Sequence, residues 1–307
     1  MNRNKTFRIL MIIAAVLVGI GILLLGFSYM MGVDLTNIFN EGKNKKSTSV
    51  DRNIEEELQD FQNISIETNY QEIRLKEGDT FHIAYSYDSK YSSLSHEIKD
   101  GKLVVTEAKK DKLGLGGDLL AAIQGKDIAG FIEITYPKQT TLRDVRIISD
   151  IGKVNVKEVS CSNLQVDVGI GSITVDDVQT QTLQIRAETG DVNLANGSAD
   201  RAELELDLGK LTTNEWNTKG LVAELSSGEA NLEGRFLGEI NVDCELGSIT
   251  LGVTGKEEEY SYELETELGS IRLNGDKIDN KTNKTNAVEN KINLKTNAGD
   301  INLNFGS

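Results

Sequence analysis

Carboxylates are the residues of this chain best placed to do chemistry, with 48 Asp and Glu against 33 Lys and Arg in 307 residues. They recur in phase. Asp167, Arg186, Glu205, Glu224, Asp243, Glu265 and Lys295 each stand four positions before a glycine. Asp150, Gly169, Glu188, Asp207, Ser226, Glu245, Glu267 and Asn297 each stand two before one. Stacked in sequence order, Glu205, Glu224, Asp243 and Glu265 are expected to form a continuous acidic stripe at steps of about 5 Å. Like charges held that close repel one another, so the stripe would attract divalent cations or a cationic partner. The plainer reading is a solvated face that confers solubility and blocks edge aggregation. In a sequence this acidic, chance carboxylate pairs suited to glycoside hydrolysis also arise.

Other chemistry has less to stand on. Two histidines, His82 and His96, and two cysteines, Cys161 and Cys244, do not make a conventional zinc cluster. The sequence has no P-loop, no HExxH and no dinucleotide fingerprint between a strand and a helix. It has no nucleophile elbow with a His partner and no calcium-binding nonapeptide. No catalytic, metal-binding or cofactor-binding residue is assigned, no cofactor is expected, and the reading is non-enzymatic.

The elements that must hold these side chains follow from the glycines. Gly152, Gly171, Gly190, Gly209, Gly228 and Gly247 lie 19 residues apart, and Gly269 and Gly299 follow at wider spacing. Apolar or small residues sit seven, five and three before each, as in Leu183, Ile185 and Ala187, and two and four after, as in Val192 and Leu194. Alternation with period 2 on both sides marks strands, and a fixed period of this length marks stacked units that share one core. The residues just before the glycines (Ile151, Ile170, Thr189, Leu208, Ser227, Leu246, Leu268, Ala298) are mostly apolar, which argues against a meander of tight hairpins. The apolar phase also shifts across each glycine, as a bend within a strand requires. The fold class is therefore all-β: a parallel β-solenoid of about 19-residue coils, preceded by one N-terminal transmembrane helix. Three after the glycines, Asn155, Thr174, Asn193, Thr212, Asn231, Thr250, Arg272 and Asn302 form an outward column able to hydrogen-bond along the stack. The two cysteines fall about 19 Å apart on the strand spacing, beyond disulfide reach.

Along the chain, residues 1–8 read as a cytoplasmic tail and 9–31 as an uncharged apolar span long enough to cross a bilayer. Arg3, Lys5 and Arg8 precede it, which places the C-terminal domain outside the cytoplasm. An uncleaved signal anchor is the reading; cleavage near residue 32 is the alternative. Residues 32–60 form a polar stalk, and 61–140 an irregular β capping region with an insertion at 109–127. Ile64, Ile66, Ile73 and Leu75 repeat the coil pattern with Gln71 in the glycine slot, which reads as a degenerate first coil. Residues 141–307 carry the solenoid repeats, with a polar insertion at 274–290 expected as a surface loop. Residues 1–46 carry +4, so the rest carries −19 of the net −15, which excludes nucleic acid as a partner. A protein or an envelope polymer is the expected partner, besides the membrane itself.

A membrane segment followed by repeats of this form resembles the bacterial "putative adhesin" β-repeat family, which includes LiaG-like membrane-anchored proteins of Gram-positive envelope-stress operons. The carrying residues are ITYP (134–137), GSITV (171–175), GDVNL (190–194), GSITL (247–251), GSIRL (269–273) and GDINL (299–303). The resemblance implies an extracytoplasmic β-repeat domain, with adhesion a proposed role and no catalytic residues to carry over. Three functions follow as expectations: an adhesin or cell-envelope interaction module, an accessory or sensor protein of envelope-stress signalling, and a polysaccharide-acting parallel β-helix enzyme.

Overall fold

The computed structural model describes residues 50–89, 92–109 and 130–306. The expected tail, membrane span and first part of the stalk, and most of the 109–127 insertion, lie outside the described residues. Among those described, no helix is long and apolar enough to cross a membrane.

The described residues form one 16-stranded sheet system wound into coils. Its middle is built from two very long strands, β8 (Leu142–Thr189) and β10 (Ser198–Val253), with the short β9 (Val192–Ala195) between them. Each long strand bends at every corner without losing its ladder, so one strand makes several coils. Parallel pairing steps by one sequence repeat, with Leu183 beside Ala202, Ile185 beside Leu204 and Ala187 beside Leu206. The positions read as inward are buried in every regular coil: Leu164, Val166, Leu183, Ile185, Leu204, Leu206, Leu221, Ala223, Ile240 and Val242 are at most 3 % exposed.

The glycine column holds because the coils approach too closely there for any side chain. A Cβ on Gly190 would lie 1.5 Å from the carbonyl oxygen of Gly171, at a φ of 143°. Only glycine meets both conditions. A second corner falls six residues after the glycines. Glu158, Asp177, Asn196 and Glu215 adopt left-handed φ angles between 50° and 54°. Beyond it a third inward face adds Val159, Val178 and Trp216 to the core, so each coil has three apolar sides. Gly197 fills the slot between Val178 and Trp216, and its bare Cα leaves room for the indole of Trp216.

At both ends the coils leave sequence order. At the C-terminal end, β15 (Asn290–Ala298) and β16 (Ile301–Phe305) pair with β10, Ile240 beside Ile292 and Ile249 beside Ile301. On their other side lie β11 (Tyr260–Leu268) and β12 (Ile271–Leu273), with Leu264 beside Leu294 and Ile271 beside Ile301. The last coil of the chain is thus inserted between its two predecessors. At the other end, β2 (Asn63–Thr68) and β3 (Glu72–Gly78) pair with β8 on one side. On the other they pair with β6 (Lys102–Lys109) and β7 (Gly130–Pro137). The coil around Gln71, expected as the first, is therefore second in the stack.

Antiparallel strands close both ends. β5 (Ser92–Lys99) pairs with β6 through an Asp100-Gly101 turn, β4 (His82–Tyr87) covers β7, and β1 (Arg52–Glu57) covers β4. β1 lies within the segment expected to be a polar stalk. Every residue of it is exposed, so no apolar alternation announced it. It is held by the ladder and by contacts of Glu55 with His82 and Glu56 with His96. The 274–290 segment is not a plain surface loop. β13 (Asp276–Ile278) and β14 (Lys281–Lys284) pair antiparallel with β12 and β11 and cover the outer edge, where unpaired N–H and C=O groups would otherwise template another chain.

Candidate functional site

The carboxylates singled out in the sequence sit on exposed or half-exposed faces, and the end-coil insertion changes what lies between them. Glu205, Glu224, Asp243 and Glu265 do not form a continuous stripe. Lys295 registers beside Asp243 on one side and beside Glu265 on the other. At the opposite end Arg186 Nε donates to Glu205 Oε2 at 2.9 Å. The outermost acid, Glu265, also accepts from Lys281 Nζ at 2.8 Å, a hydrogen bond that holds its carboxyl below the usual range. The column thus keeps three consecutive acids, Glu205, Glu224 and Asp243, between Arg186 and Lys295, with Glu265 beyond Lys295. Glu224, Asp243, Glu265 and Lys295 share a shallow depression of about 340 Å³. Glu224 also lines the neighbouring groove, with Glu205, Asp167 and Arg186.

Among the described residues no group of three or more His, Cys, Asp or Glu converges as a metal-binding set. Cys161 and Cys244 are both buried and free. Burial pushes the Cys161 thiol up to about 11, which makes it inert toward thiolate chemistry. Of the expected Asn/Thr column, Asn302 Nδ2 donates to Thr250 Oγ1 at 3.4 Å. A stronger rung lies elsewhere: Asn293 Nδ2 donates to Asn241 Oδ1 at 2.7 Å.

The coil glycines also position an outward column of apolar side chains. Because the corner backbones touch, the residues immediately before them stand outward in a column along the corner. Leu208, Leu246 and Leu268 are 53 %, 57 % and 66 % exposed. Each is preceded by an exposed acid, in Asp207-Leu208-Gly209, Glu245-Leu246-Gly247 and Glu267-Leu268-Gly269. From the Leu208 end of this ridge an open groove of about 510 Å³ leads away over the preceding coils, lined by Asp150, Asp167, Gly169, Arg186, Glu205 and Asp207 among others. The signal was present as a recurring acid–leucine–glycine triplet. Period-2 logic assigns an apolar residue to the core, and it fails at a corner where two successive residues face out.

At the N-terminal corner Gln71 takes the glycine slot, and its side chain lies over Gly130. Glu107 organises this corner. Its Oε2 accepts from the backbone N–H of Asn69 at 2.6 Å and of Tyr70 at 3.2 Å, and its Oε1 accepts from Gln71 Nε2 at 3.0 Å.

A family model described as Toastrack DUF4097 matches residues 61–304. The chain is similar in fold to a solved "putative adhesin" from Parabacteroides distasonis, 11 % identical, TM-score 0.44, covering 82 % of this chain and 96 % of that one. It is similar to another "putative adhesin" from Bacteroides fragilis, 16 % identical, TM-score 0.41, with the same coverage of 82 % and 96 %. A "putative lipid binding protein" from Parabacteroides distasonis is 13 % identical, TM-score 0.41, covering 83 % of this chain and 96 % of that one. No curated protein matches the sequence.

Proposed function

The chain belongs to the Toastrack DUF4097 family, and on that premise we propose that it is a non-enzymatic interaction module of the bacterial cell envelope, anchored in the membrane by residues 9–31 with the solenoid outside the cytoplasm. The observation that supports this reading is the repetition of exposed side chains in register from coil to coil. At the glycine corner an exposed acid followed by an exposed leucine recurs on every second coil, from Leu208 through Leu246 to Leu268, which suits an elongated partner. The uncharged 9–31 segment behind Arg3, Lys5 and Arg8 supports the anchor and its orientation. Within this reading the leading role is that of an adhesin or cell-envelope contact domain, and the alternative is a LiaG-like accessory to envelope-stress signalling that contacts another membrane protein.

The deciding experiment is topological. A Ser47→Cys variant, labelled on intact cells with a membrane-impermeant thiol reagent, should react. Labelling only after lysis would overturn the orientation. Co-purification of a membrane protein from solubilised cells supports the accessory role. Turnover of a wall glycan by the purified protein, lost in Glu224→Gln, would overturn the non-enzymatic reading.

A further inference from the structure

We propose that the corner ridge of Leu208, Leu246 and Leu268 is a docking surface for a cationic amphipathic α-helix of a partner polypeptide. The inference deepens the interaction-module reading by naming the partner's chemistry, and it does not depend on which side of the membrane the domain lies.

Exposure sets the ridge apart. Among the described residues the other exposed large hydrophobics are Val50 and Ile54, on and beside β1. Spacing then selects the occupant. Leu246 and Leu268 both register against Ala298, one on each side of it. Gly228 stacks on Gly209 and Gly247 on Gly228, so Ser227 lies between Leu208 and Leu246. The leucines therefore stand on alternate coils, about 10 Å apart, with a small side chain in each gap. Side chains seven apart on one face of an α-helix recur at about 10.5 Å. Those on one face of an extended strand recur at about 7 Å and fall out of step. A helix laid along the ridge seats its own apolar side chains over Ser227 and Ala298, between the leucine knobs.

Charge decides between a helix and the other surfaces that could cover exposed leucines. Asp207, Glu245 and Glu267 are exposed, and none has an ion-pair or hydrogen-bond partner among the described residues. A second copy of this chain would bring the same acids against them, and an anionic bilayer would repel them. A helix with Lys or Arg flanking its apolar stripe places cations beside each carboxylate.

The test uses the full-length protein in non-ionic detergent and a fluorescent synthetic helix with Leu at every seventh position flanked by Lys. A twin peptide with Glu in place of Lys is the comparison. The Lys peptide should bind, more weakly as salt rises, and the Glu peptide should not. Binding should weaken about tenfold or more in L208S/L246S/L268S, and lose its salt dependence in D207N/E245Q/E267Q. Both variants alter exposed groups only and should melt as wild type does. Equal binding of the two peptides, or unchanged binding in the leucine variant, would overturn the proposal. So would ridge-dependent attachment to phosphatidylcholine vesicles or ridge-dependent self-association in sedimentation. Failure here with an outward-labelled Ser47→Cys removes the ridge alone; binding here with an inward-labelled cysteine removes the envelope location alone.

Discussion

Gly299 stacks directly on Gly247, so close that a Cβ on Gly299 would lie 1.8 Å from the Gly247 carbonyl oxygen. Gly269 stacks in turn on Gly299, with its Cβ position 1.8 Å from that carbonyl. This pair of contacts fixes the order of the last three coils and places Lys295 where sequence order would put Asp243 beside Glu265. The acidic column is broken by topology, not by composition.

The glycine column gives the sharpest stability test. Gly190→Ala forces a methyl group against the Gly171 carbonyl at a φ of 143°. It should cost several kcal/mol, on the order of 3 or more, because neither backbone can yield without breaking ladder bonds. Gly220→Ala is the control. Its nearest neighbours are backbone oxygens at 3.9 Å, so the substitution should be close to neutral. Thermal melts of the two variants should separate clearly, and equal losses would contradict the close approach.

Inward and outward positions are separable at one dipeptide. Leu206 is 1 % exposed among aliphatic neighbours, so Leu206→Asp buries an unpaired charge and should cost on the order of 4 kcal/mol. Glu205 is exposed and faces Arg186. Glu205→Lys replaces an attraction by a repulsion and should destabilise by about 1 kcal/mol or less. Urea titrations read both, and comparable losses would mean that the alternation is assigned to the wrong faces.

Glu107 should matter more than a surface acid. Glu107→Ala leaves the N–H groups of Asn69 and Tyr70 and the amide of Gln71 without their acceptor. The expected loss is about 1–3 kcal/mol. Glu97→Ala on the neighbouring strand should be near neutral, and a shift in urea midpoint for Glu107→Ala alone confirms the clamp.

The C-terminal end should loosen in acid before the middle does. Glu257 is held below its ordinary value of 4.5, first by the hydrogen bond from Lys284 and also by those from Tyr262 and Asn274. Asp300 is held below 3.8 by the N–H and hydroxyl of Ser270. A carboxyl with a depressed folded value adds stability that is complete above its ordinary value and is lost as pH falls through the folded one. The protection factors of amides in β11–β14, taken against the intrinsic exchange rate at each pH, should therefore fall below about pH 4.5, while those of β8 hold. Glu257→Gln should flatten that response, and an unchanged profile would contradict the assignment.

Much of the fold was legible because the coil repeats one physical problem. Every coil must bury the same phases, and the alternation around each glycine states which ones. The second corner was less visible. Asp177 and Asn196 tolerate a left-handed φ, but Glu158 and Glu215 occupy the same position, where nothing in their side chains advertises it. Coil order at the ends was not legible at all. Ile249, Ile271 and Ile301 carry the same phase, so pattern alone cannot say which pair is adjacent. The ridge leucines were visible as residues but not as surface, because alternation assumes that neighbours face opposite ways.

The inserted coil has a consequence in time. In the middle of the solenoid each new coil closes on the previous one after 19 residues, as with Ile185 and Leu204. The final coil must instead find partners 52 positions back, as Ile292 finds Ile240, at an added loop-closure cost of about 0.9 kcal/mol. In the folded chain the segment Tyr260–Leu273 has its parallel partners only in β15 and β16, its other partners being the antiparallel β13 and β14. The Gly247 and Gly269 coils are therefore joined in the sheet only through β15 and β16, whose removal would bare a ladder edge on each.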